Sequence, residues 1–231
     1  MIKFFRHIRK NLMETGKTGK YLKYAIGEII LVVIGILIAL SINNWQQEKQ
    51  NIKLEQRYIK DLVNDLKKDS VNLHILYIDA VLSANAKDSI YKVFHQPEYQ
   101  LDSLPAYFKL QWNPYKIFSP STSTIDEMKS SSDLEVIRND AQRKQIVSIY
   151  YKYELFLQDE NLYREATREI FATAKSGLKN IQKPTSDEIK LLLQDQRLEN
   201  TIRTNFAKGR VKSIANIADE CNSLLKVLGK K

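Results

Sequence analysis

Four adjacent acid pairs, Asp126-Glu127, Asp159-Glu160, Asp187-Glu188 and Asp219-Glu220, come nearest to the paired carboxylates used in general acid–base work. Neighbours on a helix point about 100° apart, so such pairs read as solvated faces or first-turn charges rather than shared proton sites. The three histidines, His7, His74 and His95, are scattered, and Cys221 is the single cysteine, which excludes a Cys/His metal site and an internal disulfide. No His-Glu-x-x-His helix, Gly-x-Ser-x-Gly elbow or Cys/His nucleophile pair occurs. Gly16-Lys17-Thr18 has the ending of a phosphate-binding loop, but the loop's first glycine would fall on Asn11 and no apolar strand precedes it. The expectation is a non-enzymatic chain with no catalytic residue, metal or cofactor.

Glu28 is set apart by its surroundings. It lies in Tyr24–Ile42, YAIGEIILVVIGILIALSI, which as a helix reaches about 28 Å against a hydrocarbon core of roughly 30 Å. Basic residues precede this run, whereas Asn43, Asn44, Trp45, Gln46 and Gln47 follow it, so the positive-inside rule puts the N-terminus in the cytoplasm. Tyr21 and Tyr24 at one end and Trp45 at the other stand where amphipathic rings anchor at the headgroups. Ala39-Leu40-Ser41 has the small residues of a leader cleavage site, but more than 20 residues precede the apolar run, which suits an uncleaved anchor. Glu28, Gly35, Ala39 and Ile42 share one stripe, and Gly35-xxx-Ala39 lets two helix backbones approach closely. Glu28, Gly35 and Ala39 are therefore the candidate contact with another transmembrane helix, from a second copy or a different single-span protein; for Glu28 alone, snorkelling to the interface is the competing reading.

The net charge of +9 is concentrated at one end. Lys3, Arg6, Arg9, Lys10, Lys17, Lys20 and Lys23 face Glu14 alone in Met1–Lys23, and Phe4, Ile8 and Leu12 recur at helical spacing among them. This reads as a basic amphipathic arm lying on the anionic leaflet of a lipid bilayer; so short a tethered segment is a poor nucleic-acid reader.

Beyond Trp45 the helical pattern continues through Ile59, Leu62, Val63, Leu66, Leu73, Leu76 and Ala80, which predicts one long helix leaving the membrane. A strict heptad through Ile52, Ile59, Leu66 and Leu73 puts Glu55 and Asp69 at the other seam position, so this helix belongs in a bundle rather than an isolated coiled coil. Prolines 97, 105, 114 and 120, interleaved with Tyr99, Tyr107, Phe108, Trp112, Tyr115 and Phe118, predict an irregular connection folded onto that bundle. Thr124 and Glu127 have capping-box spacing for a short helix, as do Thr185 and Glu188 after Pro184. The strongest soluble signal is Asp140–Ser176, with Gly177 as its stop, and a last pattern runs from Leu198 through Ile202, Phe206, Ile214, Ile217, Cys221 and Leu228, kinked or divided at Gly209. Cys221 falls on the apolar stripe and reads as a buried residue.

With seven glycines and five prolines in 231 residues, and 43% hydrophobic residues, a turn-rich β fold and wholesale disorder are both excluded. The fold class is all-α: a single N-terminal transmembrane helix followed by an antiparallel helical bundle. The divisions are an arm at 1–23, the span at 24–45 and a helical domain at 46–231, with the aromatic and proline-rich connection at about 95–123.

The run from Lys20 to Trp45, KYLKYAIGEIILVVIGILIALSINNW, preceded by MIKFFRHIRKNLM, resembles an uncharacterised family of single-span membrane proteins from Bacteroidota. The resemblance rests on Gly27-Glu28, Gly35 and the Ile42-Asn43-x-Trp45 exit. It is weaker at Ser131-Ser132-Asp133-Leu134 and Tyr150-Tyr151, where Ser132 replaces the glycine usual before Asn/Asp-Leu. The resemblance implies a Gram-negative inner membrane, a cytoplasmic N-terminus and a periplasmic helical domain, with no activity attached. Two roles follow as expectations: an interaction or scaffold component of the envelope, or a ligand-sensing domain that works through a membrane partner.

Overall fold

A computed structural model describes residues 18–96, 101–110, 116–204 and 207–230. The described residues are mostly helical and contain no strand. The chain divides into two units, 1–54 and 55–231, and the first helix, α1 (Thr18–His95), contributes to both.

In the first unit every large apolar side chain from Leu22 to Ile42 is 47–72% exposed. A window of 18 residues here reaches a mean hydropathy of 2.8 with none of it buried, long and apolar enough to cross a membrane. Trp45 is exposed, with the Lys49 ammonium 3.6 Å from its ring centroid.

In the second unit α1 turns one stripe inward, with Tyr58, Leu62, Leu66, Leu73, Leu76, Ala80 and Ile90 buried. A turn at Leu101–Ser103 leads into α2 (Leu104–Leu110), and residues 116–122, outside any helix, lead to α3 (Ser123–Ser130). After a second turn, Asp133–Val136, come α4 (Asp140–Gly177), α5 (Ser186–Leu193), α6 (Gln196–Thr204) and α7 (Ala207–Leu228). Residues in register fix the directions. Lys87 meets Tyr163 while Ile90 and Val93 share a core with Ala174 and Leu178, so α1 and α4 run the same way. Leu66 meets Cys221 and Asp88 meets Lys208, so α7 runs antiparallel to α1; Lys152–Glu220 and Arg210–Glu160 set it antiparallel to α4 as well. Two parallel helices need a long return, and residues 116–139 supply it as a strap laid along α1.

The ends of these elements follow local chemistry. Asn139 caps α4 by accepting from the Gln142 N–H at 3.1 Å. α4 ends at Gly177, where an added Cβ would stand 2.5 Å from Leu192 Cδ1, so the glycine permits the close approach of α5. Thr185 and Glu188 form the reciprocal capping box expected of them, and the Thr185 N–H draws the Glu188 carboxyl below its ordinary range. The box expected at Thr124 is absent: Thr122 is the N-cap, and Thr124 and Glu127 both turn to α1 instead. Gly209 does not divide the last pattern, because α7 runs through it from Ala207; residues 205–206 lie outside the described residues. Ser132 holds φ 59°, ψ 28°, so the turn that favours glycine is kept with serine in it.

Candidate functional site

The inward stripe of α1 is not purely apolar. Glu55, Asp65, Asp69 and Asp79 lie on or beside it, each buried, and each binds the strap. Asp79 pairs with Lys116 at 3.1 Å. Asp69 accepts the Ser121 N–H at 2.8 Å. Asp65 accepts from Thr124 Oγ1 at 2.6 Å, from Ser123 Oγ at 3.3 Å and from the Thr124 N–H at 3.4 Å, an amide that the first turn of α3 leaves open. Glu55 takes both the N–H of Arg138, at 3.1 Å, and its Nε, at 2.8 Å. Between these, Tyr58 donates to Asp133 at 2.7 Å, and Arg57 reaches Glu127 at 2.7 Å on the surface. The strap thus descends α1 with its register fixed by carboxylates at successive levels.

Asp69 is the deepest rung, fully buried, with its second oxygen and the Tyr150 hydroxyl lacking a hydrogen-bond partner among the described residues. Burial pushes its carboxyl up to about 6, against the opposing pull of the Ser121 N–H. Burial likewise raises the Tyr150 and Tyr153 phenols and the Cys221 thiol. Cys221 lies fully buried, its thiol 3.5 Å from the Leu66 carbonyl, as its place on the apolar stripe predicts.

A second polar knot ties α1, α4 and α7 further along. Arg210 and Glu160 pair through two bonds of 2.7 Å, each side chain 7% exposed. The Arg210 guanidinium lies 4.5 Å from the Tyr163 ring centroid, and Lys87 Nζ donates to the Tyr163 hydroxyl at 3.3 Å. Burial lowers the Lys87 ammonium; burial also works to raise the Tyr163 phenol, but Lys87 and Arg210 overcome it and hold that phenol below its ordinary value. Such a pair can share a proton, yet it is enclosed by the helices it joins.

The acid pairs separate in space as their angular offset requires. Glu127 meets Arg57, Glu160 meets Arg210, Glu188 caps α5 and Glu220 meets Lys152, while their neighbours Asp126, Asp159, Asp187 and Asp219 face outward. Glu160 differs from the expected solvated face, since Arg210 compensates its burial. His74 is exposed and His95 lies 3.1 Å from Glu199; His7 is outside the described residues. Among the described residues no group of three or more His, Cys, Asp or Glu side chains could hold a metal ion.

Of the membrane positions read from sequence, Glu28 is half-buried and Gly35 has nothing within 4 Å of where a Cβ would be. Ala39, Tyr24 and Lys23 are exposed. Lys20 and Tyr21 stand in the first turn of α1, and Lys3, Arg6, Arg9, Lys10 and Lys17 lie outside the described residues. Of the aromatic segment, Phe108 fills the core built by Ile90, Val93, Leu104 and Leu193, with Tyr107 packed against it. Phe118 packs edge-on to Tyr153 and Phe156. Tyr99, Trp112 and Tyr115 lie outside the described residues.

The carboxylate ladder was missed in the sequence, although Glu55 and Asp69 in a core register were its signal; Arg210, four residues before Ile214 on the same stripe, was another. A model for a family of unknown function (DUF6090) matches residues 28–182. No curated protein and no solved structure matches the chain.

Proposed function

The chain belongs to DUF6090, a family of unknown function, and from that premise we propose that it is a membrane-anchored, non-enzymatic interaction or scaffold component of a bacterial cell envelope. The single observation that carries this reading is the bare apolar helix. Leaving side chains from Leu22 to Ile42 at 47–72% exposure in water costs about 10–20 kcal/mol, as much as the roughly 5–15 kcal/mol that holds a whole domain folded. Hydrocarbon removes that cost. The lysines before the span and the uncharged Asn43–Gln47 after it support a cytoplasmic N-terminus with residues 55–231 outside, and the Bacteroidota resemblance supports an inner membrane facing a periplasm. Within the bilayer, Glu28, Gly35 and Ala39 are the proposed contact with another helix, open for close approach at the glycine.

The non-enzymatic half rests on where the polar groups are committed. The buried carboxylates of α1 fix the strap, Glu160 and Arg210 compensate each other, and the described aromatics Phe108 and Phe118 fill core. Carbonate extraction of membranes expressing the full chain, with protease added from either side, tests the anchor and its orientation. Retention in the pellet, with the C-terminal unit protected in inverted vesicles, is expected. Recovery as a dissolved cytosolic species refutes the proposal, and a small molecule whose stabilisation of the chain grows with concentration favours sensing over scaffolding.

A further inference from the structure

Three buried polar atoms stand unsatisfied where α1 meets α4 and α7. Asp69 Oδ2 on α1 and the Tyr150 and Tyr153 hydroxyls on α4 are closed off from solvent and have no hydrogen-bond partner among the described residues. The three residues are 0%, 3% and 1% exposed. Burial is the main cause that raises both phenols and the Cys221 thiol, and the Asp69 charge adds to it at each, so all of them lie within the field of that one carboxylate. The tyrosines stand three residues apart on one face of α4, their rings edge-on with centroids 5.7 Å apart. Ser121 of the strap holds the other Asp69 oxygen, and Phe118 lies edge-on to Tyr153 at 5.0 Å. Cys221 does not serve the phenols, because its one thiol hydrogen goes to the Leu66 carbonyl at 3.5 Å and sulfur is a weak acceptor.

We propose that Asp69, Tyr150 and Tyr153 hold a single internal water molecule that bridges α1 to α4 at the deepest rung of the ladder. Buried polar groups are nearly always bonded, to protein or to ordered water. Three together, within one another's field yet beyond direct hydrogen-bond reach, mark the place of a bridging molecule. The chemistry selects water. A bridge here has to donate to a carboxylate oxygen and also pair with two hydroxyls, each of which donates or accepts. A buried water makes about three hydrogen bonds, and three atoms are open to it. Water also serves both forms of the acid, donating to the carboxylate and accepting from the carboxylic acid. A cation fits only the ionised form and accepts nothing from the phenols. The bridge carries the ladder from Ser121 through Asp69 to α4.

Radiolytic hydroxyl-radical labelling of the full chain in detergent, resolved by residue with tandem mass spectrometry, tests this, because radicals made from an internal water attack the side chains beside it. Tyr150 and Tyr153 are expected to be hydroxylated at least about fivefold more than Phe108, which is as deeply buried but packed among apolar side chains. Iodination from bulk solvent should reach the exposed Tyr151 and neither of these two. Hydroxylation no stronger than at Phe108 overturns the proposal. Iodination of Tyr150 or Tyr153 overturns it as well, since the position is then open to solvent rather than closed around a held molecule. Replacing sodium and potassium by choline at constant ionic strength should leave the labelling and the urea midpoint unchanged; a lower midpoint assigns the position to a cation and refutes the water. Asp69→Leu removes the charged acceptor and should bring Tyr150 and Tyr153 down to the Phe108 level. Tyr150→Phe, read at Tyr153, makes the same comparison without touching the strap. Undiminished labelling in either variant, with iodine still excluded, overturns the assignment of these residues.

Discussion

Replacing Asp69 by asparagine should stabilise the folded chain at neutral pH, and the gain should disappear in acid. The carboxyl is fully buried and titrates at about 6 instead of 3.8. Because the folded-state value is raised, the folded chain binds the proton more tightly than the unfolded chain does. The stabilisation from that proton is complete below about 4 and is lost as the pH rises through about 6. A difference of about two units corresponds to about 3 kcal/mol of destabilisation at pH 7.5, carried by this one ionised group. Asparagine keeps a carbonyl oxygen to accept the Ser121 N–H and has no charge to desolvate, and its amide brings a donor toward the oxygen-rich side where Asp69 Oδ2 and the Tyr150 hydroxyl lack partners.

Urea unfolding of the full chain in mild detergent, followed by far-UV circular dichroism between pH 4 and 8, checks this. Subtracting variant from parent at each pH cancels every other titrating group. The difference should be near zero at pH 4 and about 3 kcal/mol in favour of Asp69→Asn at pH 7.5, with its midpoint close to 5. A difference that does not vary with pH, or a variant less stable at pH 7.5, would refute the claim that buried charge dominates this rung over the bond it accepts.

Ser132→Gly relieves a left-handed backbone conformation and should raise stability by about 0.5–1 kcal/mol, read as a shift in urea midpoint. Arg210→Ala leaves Glu160 buried and unpaired and should cost about 3–5 kcal/mol, whereas Glu160→Leu with Arg210→Met should come within about 1–2 kcal/mol of the parent; a double-mutant cycle measures the difference. Gly177→Ala puts a methyl 2.5 Å from the end of the flexible, partly exposed Leu192 side chain, which can turn aside, so the change in stability should stay within about 1 kcal/mol, read as a shift in urea midpoint.

The helices were legible because each has a period and an end. α4 reads as Asp140–Ser176 in the sequence and runs one residue further, through Gly177, in the structure, since Ile146, Ile149, Tyr153 and Phe156 repeat at helical spacing. The capping spacings were half reliable for a physical reason. Thr185 has no competing partner and caps α5, while Thr124 stands beside the buried Asp65, and a charged acceptor outcompetes its own Glu127. The polar ladder was not legible because no local pattern says which segment will cover an acid on an apolar face. Glu55 and Asp69 signalled that something polar must cover α1, but the partners lie 52 to 83 residues away along the chain. The same holds for Arg210 and Glu160, 50 residues apart.

Strap and ladder explain each other. A return segment held against α1 by apolar contacts alone could slip by one turn at small cost, since Leu62, Leu66, Leu73 and Leu76 present similar grooves along the helix. Carboxylates remove that freedom. Asp65 fits only the Thr124 N–H and the two hydroxyls at the start of α3, Asp69 fits the Ser121 N–H six residues before the Glu127 that meets Arg57, and Glu55 fits both donors of Arg138. A slip of one turn would strand each buried carboxylate against apolar side chains, at several kcal/mol apiece. The destabilisation expected from ionised Asp69 is then the cost of a register that places Asn139 at the base of α4 and so lets α4 run parallel to α1. On this account Asp69→Asn, which keeps the acceptor, should stabilise without altering the register, whereas Asp69→Leu should stabilise less or not at all, because it leaves the Ser121 N–H without its partner.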